Sequence, residues 1–95
     1  MTLIGHGSFS FQGKEIPASY VIHEVETMIR TNSDSIPVLL EIKGRVTMKE
    51  QDRDLSIQLV DKPLLLLMPD HGKKWRFRFR DSHGNASNNG GFEEI

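Results

Sequence analysis

The sequence contains no cysteine, and this absence excludes several kinds of chemistry at once. Disulfide bonds, thiolate nucleophiles and cysteine-ligated metals all require this residue. A chain without cysteine also suits a reducing compartment, so we expect a cytoplasmic protein.

Long apolar runs and a strong net charge are also lacking. The longest apolar run is LLLLM at positions 64–68, whereas a membrane helix needs about 20 such residues. The first residues show no basic region followed by an apolar stretch, as a secretory signal would. The formal charge is −1, from 12 basic and 13 acidic residues, so the molecule as a whole has no field that attracts nucleic acid or anionic lipid. We therefore expect a soluble protein without membrane contact, in which any such attraction is local.

Apolar residues follow a period of two over most of the 95 residues, a length that suits one small domain. This alternation predicts about six antiparallel strands, at approximately 5–12, 16–27, 36–49, 55–60, 63–68 and 73–80. The segment 19–30 also shows helical spacing, and we favour a strand there. Residues 50–53 are interpreted as a hairpin loop that pairs the third strand with the fourth.

The predicted fold is all-β. Strands in hairpin order would form a small antiparallel up-and-down barrel or a strongly bent sheet, within a single domain at residues 1–81. Residues 82–95 contain three glycines, three asparagines and almost no apolar residue before Phe92, which predicts a flexible C-terminal tail. The predicted core consists of Phe9, Phe11, Tyr20, Val38, Leu40, Ile42, Val46, Ile57, Leu59, Trp75, Phe77 and Phe79.

The segment KKWRFRFRD, at positions 73–81, places an aromatic residue at every second position and a basic residue in each gap. Because side chains alternate across a strand, its aromatic residues belong to the core face. The opposite face carries Lys74, Arg76, Arg78 and Arg80.

Leucines of the preceding strand should lie beside these cations. A four-residue turn at 69–72 brings Leu65 and Leu67 to the basic side, and a turn longer by one residue brings the other leucines there instead. A sheet face exposed to water normally carries polar residues, so something should cover this one. The cover is either the protein itself, with arginines paired to Glu24, Glu26 or Glu41, or a binding partner.

We predict a non-catalytic binding module, a regulatory, adaptor or assembly domain that uses this arginine and leucine face. It would contact another protein or a second copy of the chain, because arginine beside apolar area is typical of protein interfaces. The alternatives are a binder of an anionic small molecule in the barrel mouth and, less favoured, a binder of single-stranded nucleic acid. Base stacking needs rings and cations on the same face, and here the period of two separates them.

Catalysis and metal binding receive little support from the sequence. The four histidines lack metal-ligand spacing, and the serines lack the glycine-flanked elbow of a hydrolase nucleophile. No glycine-rich phosphate loop or other cofactor motif is present. We therefore predict no catalytic residue, no metal ligand and no cofactor, and we consider an enzyme the least favoured class.

Overall fold

The protein forms a closed barrel of six antiparallel strands. The computed structural model describes the backbone of residues 2–30 and 35–95, and the side chains of residues 2–25 and 41–95. The strands are β1 (Thr2–Phe11), β2 (Lys14–Arg30), β3 (Ser35–Met48), β4 (Leu64–Met68), β5 (Lys73–Phe79) and β6 (Asn85–Glu94). The barrel order is β1-β2-β3-β6-β5-β4. The structure confirms the predicted all-β barrel.

The strand order differs from a simple succession of hairpins at one connection. β1, β2 and β3 form one meander and β4, β5 and β6 form another, and the meanders are joined by pairing of β1 with β4 and of β3 with β6. The connection from β3 to β4 therefore crosses one end of the barrel. It contains a 3₁₀ helix (Glu50–Leu55) and a single-turn helix α1 (Ser56–Leu59). No helix in the described part of the chain is long and apolar enough to cross a membrane.

The predicted strand at 55–60 is wrong, and the same residues form the helical connection. Leu55 and Leu59 lie four residues apart and pack against the core, whereas Ile57 is 77% exposed. The apolar residues of this segment satisfy both a period of two and an i, i+4 helical spacing. The buried carboxylate of Asp52, which we expected in a solvated hairpin tip, lies 3.4 Å from the Lys14 ammonium and helps to fix the connection.

The sixth strand comes from the segment for which the sequence predicts a flexible tail. β6 pairs with β5 along most of its length and with β3 at three positions. Its small residues fit because the bulky rings of β5 already fill the interior, and Ala86 is the buried member of β6 opposite Phe79. Gly90 and Gly91 adopt positive φ angles beyond a register shift between β5 and β6, where a side chain would be strained.

The core agrees with the prediction at most positions. Eight of the predicted residues are buried, namely Phe9, Tyr20, Ile42, Val46, Leu59, Trp75, Phe77 and Phe79. Phe11 is partly buried, and the side chains of Val38 and Leu40 lie outside the described residues. Edge-to-face contacts of Phe9 with Phe77 and with Phe79, each 5.9 Å between ring centroids, link β1 to β5 across the interior.

The hairpin between β1 and β2 is tighter than the sequence suggests. Gln12 and Gly13 form a two-residue turn, and both have the positive φ that such turns require. The register therefore pairs Phe9 with Ile16 and Phe11 with Lys14, and β2 begins two residues before the predicted position 16. The Tyr20 ring lies over the glycines of β1. Burial and the nearby charge of Asp70 raise the pKa of the Tyr20 phenol.

The segment 19–30 is a strand, as favoured, and it continues to the end of β2. β1 accompanies β2 only as far as the pair Thr2–His23, and β6 accompanies β3 only over Lys43–Arg45. Beyond these points β2 and β3 pair with each other through the pair Arg30–Ser35. Within the described part of the chain, the barrel therefore continues into a two-stranded ribbon, made of residues 24–30 of β2 and residues 35–42 of β3.

Deletion of residues 85–95 should open the barrel, because β5 and β3 would each lose a neighbouring strand and the aromatic core would become exposed. We expect loss of cooperative thermal unfolding by circular dichroism. Deletion of Ile95 alone, which is 67% exposed, is the matched control and should leave the midpoint almost unchanged. A cooperative melt at the original midpoint after the longer deletion would show that β6 is dispensable for folding.

Replacement of Gly7 by alanine should destabilise the contact between β1 and β4. A Cβ atom at Gly7 would overlap the backbone carbonyl oxygen of Leu67, and a backbone atom cannot move aside as a side chain can. We expect a loss of about 2 kcal/mol or more in unfolding free energy, measured by urea denaturation. The control Ser10→Ala, at an exposed position of the same strand, should change it by less than about 0.5 kcal/mol.

Candidate functional site

Three of the four basic residues that the sequence singles out lie on the outer face of β5, and the fourth, Arg80, directly follows the strand. Trp75 and the two phenylalanines of β5 are fully or almost fully buried, and three of the four intervening cations are exposed. Trp75 donates its indole N–H to the Asn88 side-chain oxygen at 3.1 Å and stacks on Phe77. The rings are thus core residues and are not available on the basic side.

The leucines expected beside the cations are Leu65 and Leu67. Met68 pairs with Lys73 across the predicted four-residue turn, so Leu67 lies opposite Lys74 and Leu65 opposite Arg76. Leu67 is 37% exposed and Leu65 is partly buried. The shorter of the two turns considered from the sequence is therefore the observed one, and it places apolar and basic side chains on the same face.

Two of these four cations, Lys74 and Arg76, form ion pairs with Glu93 of β6. The Arg76 guanidinium donates to a Glu93 carboxylate oxygen at 2.6 Å, and the Lys74 ammonium lies 3.9 Å from the other oxygen. The hydrogen bond and charge of Arg76 lower the pKa of Glu93, and Glu93 raises the pKa of Arg76 in the same way. The carboxylate that covers these two cations thus comes from β6 and is not among those proposed from the sequence.

Arg78 and Arg80 have a different environment. They form no ion pair with any carboxylate whose side chain the structure describes. On β6 their neighbours are Ser87, which pairs with Arg78, and Asn85, whose carbonyl oxygen accepts the Arg80 backbone N–H at 2.7 Å. Small neutral side chains therefore separate these arginines from the next strand.

That next strand, β3, contributes two further cations. Lys43 pairs with Ser87 and Arg45 pairs with Asn85, so both point to the same side as Arg78 and Arg80. Two strand spacings separate the β3 pair from the β5 pair by about 10 Å, and the two members of each pair are about 7 Å apart. We call these four residues the basic face: Lys43, Arg45, Arg78 and Arg80.

An open groove of about 710 Å³ adjoins three residues of the basic face, Lys43, Arg45 and Arg80. Its lining includes Val21, His23, Lys43, Arg45, Arg80 and Asp81. Neither Lys43 nor Arg45 has an ion-pair partner within the described set of side chains. The groove is therefore positively charged, with a small apolar floor contributed by β2.

Asp81, the carboxylate in this groove, accepts hydrogen bonds from the loop between β5 and β6. It accepts hydrogen bonds from the Asn85 side-chain amide at 2.7 Å and from the His83 backbone N–H at 2.8 Å. These bonds lower the pKa of Asp81, with the Asn85 side chain as the main cause. Asp81 thus orders the loop and uses its hydrogen-bonding capacity there.

A smaller recess adjoins the groove where this loop meets the helical connection. It has a volume of about 320 Å³ and is lined by both Arg45 and Arg53, with polar groups from Ser56, Ser82 and His83. Arg45 donates to the His83 carbonyl oxygen at 3.2 Å, which places its guanidinium between the two cavities. This recess lies at the end of the barrel, which is where the sequence analysis considered a site for a small anion.

Sequence analysis missed Lys43 and Arg45 as members of the site. Their exposure was evident from the alternation in β3, but the predicted neighbour of β3 was the segment 55–60.

Among the residues that the structure describes, no group of three or more histidine, aspartate or glutamate side chains is arranged to hold a metal ion. No family model, curated protein or solved structure matches this chain.

Replacement of Glu93 by glutamine should remove a pH-dependent contribution to stability. The ion pair lowers the pKa of Glu93 in the folded protein, so its contribution is present above the unfolded-state pKa and disappears as the pH falls through the folded-state value. We expect a slightly lower thermal midpoint than wild type at neutral pH and no difference in acid. Glu94→Gln is the matched control, and an equal effect of both variants would contradict the assigned role of the ion pair.

Proposed function

We propose that this protein is a non-catalytic binding module that contacts a protein partner through the outer side of its last hairpin. The site contains the six residues singled out in the sequence: Leu65, Leu67, Lys74, Arg76, Arg78 and Arg80. It also contains Lys43 and Arg45, which complete the basic face. The observation that carries the proposal is the presence of four neighbouring cations without carboxylate partners among the described side chains, three of which (Lys43, Arg45 and Arg80) line one open groove.

The spacing of the basic face favours an acidic segment in extended conformation as the ligand. Side chains on one face of an extended peptide recur about every 7 Å, which is the separation of Arg78 from Arg80 along β5. The guanidinium group binds carboxylates with two parallel hydrogen bonds, and arginine is enriched in protein interfaces. Leu67, exposed on β4 opposite Lys74, offers apolar contact area on the same outer side of the hairpin, towards the other end of β5.

The proposal is non-catalytic because of the chemistry of the groove. Its described ionisable groups are mainly cations, Asp81 is engaged by donors of its own loop, and a ring nitrogen of His23 lies within hydrogen-bond distance, 3.1 Å, of the Thr2 hydroxyl. Acid–base catalysis needs a proton donor or acceptor that is free to reach a substrate. We also propose a cytoplasmic location, which the lack of cysteine favours.

A small anion in the recess near Arg53 is the second candidate function. The pair Arg45 and Arg53, with the hydroxyl groups of Ser56 and Ser82, offers the donors that a phosphate or carboxylate requires. Single-stranded nucleic acid is less favoured, because the rings of β5 face the core and base stacking needs rings beside the cations.

Replacement of both Arg78 and Arg80 by glutamate should abolish binding of an acidic peptide. We expect at least a tenfold loss of affinity for a fluorescent peptide of about eight glutamates, measured by anisotropy, because like charges would face each other across the groove. Lys62→Glu changes the net charge in the same direction by half as much and is the control, since Lys62 is exposed outside the groove lining, and it should retain binding. Circular dichroism should show the native fold in all variants.

Two further probes separate the alternatives. Inorganic phosphate should compete only weakly with the peptide, and oligothymidylate of similar length should bind less tightly than the peptide at the same salt concentration. Tighter binding of oligothymidylate with a steep salt dependence would favour nucleic acid. Saturable phosphate binding that is lost in Arg53→Glu would favour the small-anion site. Peptide affinity unchanged by the double arginine replacement would overturn the proposal.

A further inference from the structure

The recess at the end of the barrel collects cations and hydroxyl groups from three separate parts of the chain. Arg45 comes from β3, Arg53 and Ser56 come from the helical connection, and Ser82 comes from the loop between β5 and β6. None of the described residues that line the recess is acidic. Neither arginine forms an ion pair with a carboxylate among the described side chains. The recess therefore offers hydrogen-bond donors and positive charge to a ligand.

The helical connection directs its basic and acidic side chains to different cavities. Arg53 and Ser56 are three residues apart, and the Ser56 backbone N–H donates to the Arg53 carbonyl oxygen. Side chains with this spacing on a 3₁₀ turn lie on the same side, which explains why both line the recess. Asp52 and Asp54 line another cavity, together with Lys14. The negative charge of the connection is thus kept out of the recess.

The loop between β5 and β6 is fixed where it borders the recess. The Gly84 carbonyl oxygen accepts a backbone N–H of β3 at 2.9 Å, and the Asp81 carboxylate accepts the His83 backbone N–H at 2.8 Å. Arg45 donates to the His83 carbonyl oxygen at 3.2 Å, which uses only one of the N–H donors of its guanidinium. A ligand thus meets donors that are already positioned, so less ordering is needed when it binds.

The donors of the recess match a phosphate monoester better than a carboxylate. A carboxylate has two oxygens, and one guanidinium can bind both of them with parallel hydrogen bonds. A phosphate monoester has three terminal oxygens and a charge of about −1.5 to −2 at neutral pH. Two guanidinium groups together with two hydroxyl groups provide donors for all three oxygens. Clusters of arginine are a recurring way in which proteins recognise phosphorylated side chains.

Arg45 connects the recess to the groove of the basic face. It lines both cavities, whereas Lys43 and Arg80 line only the groove and Arg53 lines only the recess. A segment bound in the groove therefore reaches Arg45 with one end, and a side chain at that end can enter the recess. A phosphate attached to the segment binds at a high effective concentration, even where free phosphate binds weakly.

We propose that the recess is a phosphate subsite, and that the ligand of the basic face is an acidic protein segment with a phosphorylated side chain at the end that reaches Arg45. This inference rests on the proposed function, since the groove holds the rest of the segment. Phosphorylation of the partner then raises its affinity for this protein, and removal of the phosphate lowers the affinity to that of the groove alone.

Peptides of equal charge test the subsite. Each fluorescent phosphopeptide contains about six glutamates and one phosphoserine, placed at the first position or at the last. The reference peptide has two glutamates in place of the phosphoserine. We expect the better of the two phosphopeptides to bind about tenfold more tightly than the reference, measured by anisotropy, because only the phosphate offers three oxygens to the recess. Equal affinity for all three peptides would show attraction by net charge alone and would overturn the proposal.

Replacement of Arg53 by glutamine should bring the ratio of the phosphopeptide and reference affinities close to one, because the recess loses one of its two guanidinium groups. Lys62→Gln is the matched control, since it removes the same charge from an exposed position outside both cavities, and it should retain the ratio. Circular dichroism should show the native fold in both variants. An unchanged ratio in Arg53→Gln would place the phosphate elsewhere and contradict the assignment.

Further outcomes separate this proposal from the proposed function. Reference binding that is lost on replacement of Arg78 and Arg80 by glutamate, without any preference for phosphate, would support the groove and overturn the subsite. A preference for phosphate that depends on Arg53, with reference binding unaffected by that double replacement, would support the subsite and overturn the proposed function. Tighter binding of an oligothymidylate with a terminal phosphate than of either phosphopeptide would assign the recess to nucleic acid and overturn the proposal.

Discussion

Pairing of β3 with β6 at three positions is the constraint on which the rest of this structure depends. The pairs Lys43–Ser87, Gly44–Ala86 and Arg45–Asn85 close the barrel, because they join the two meanders on the side opposite β1 and β4. They also end the barrel on that side, since β3 continues beyond Lys43 without β6. The basic face and the two-stranded ribbon both depend on where this pairing begins and ends.

The basic face exists because of the same contact. β6 supplies two small neutral residues, Asn85 and Ser87, between the cations of β3 and those of β5. Like charges about 10 Å apart repel one another weakly in water, at a distance close to the Debye length. A bound anion would relieve that repulsion. The chain has 12 basic and 13 acidic residues. Four of the basic residues form the basic face, so the remaining eight are outnumbered by the 13 acidic residues. The net charge is therefore near zero although positive charge is concentrated on one face.

The strand content and the face assignments were largely predictable. The alternation in β5 identified Trp75 as a core residue and Arg76 as an outward one, since period-two patterns are set by local backbone geometry. Proline and glycine at 69–72 predicted the turn between β4 and β5, but two turn lengths remained open, and the observed pairing of Met68 with Lys73 selects the one that places Leu67 on the basic side. The segment 55–60 was not predictable in the same way, since its leucines satisfy two periods and only the packing of Leu59 selects the helix.

The sequence by itself determined the all-β class, the side of β5 that carries the cations and the leucines beside them, because each depends on residues close together in the chain. Only the tertiary structure decided that β6 is a strand and that β3 lies beside it. A segment rich in glycine and asparagine has little preference for a strand, and it becomes one here through hydrogen bonds to distant strands on either side. Lys43 and Arg45 therefore joined Arg78 and Arg80 through long-range pairing, which a local pattern does not encode.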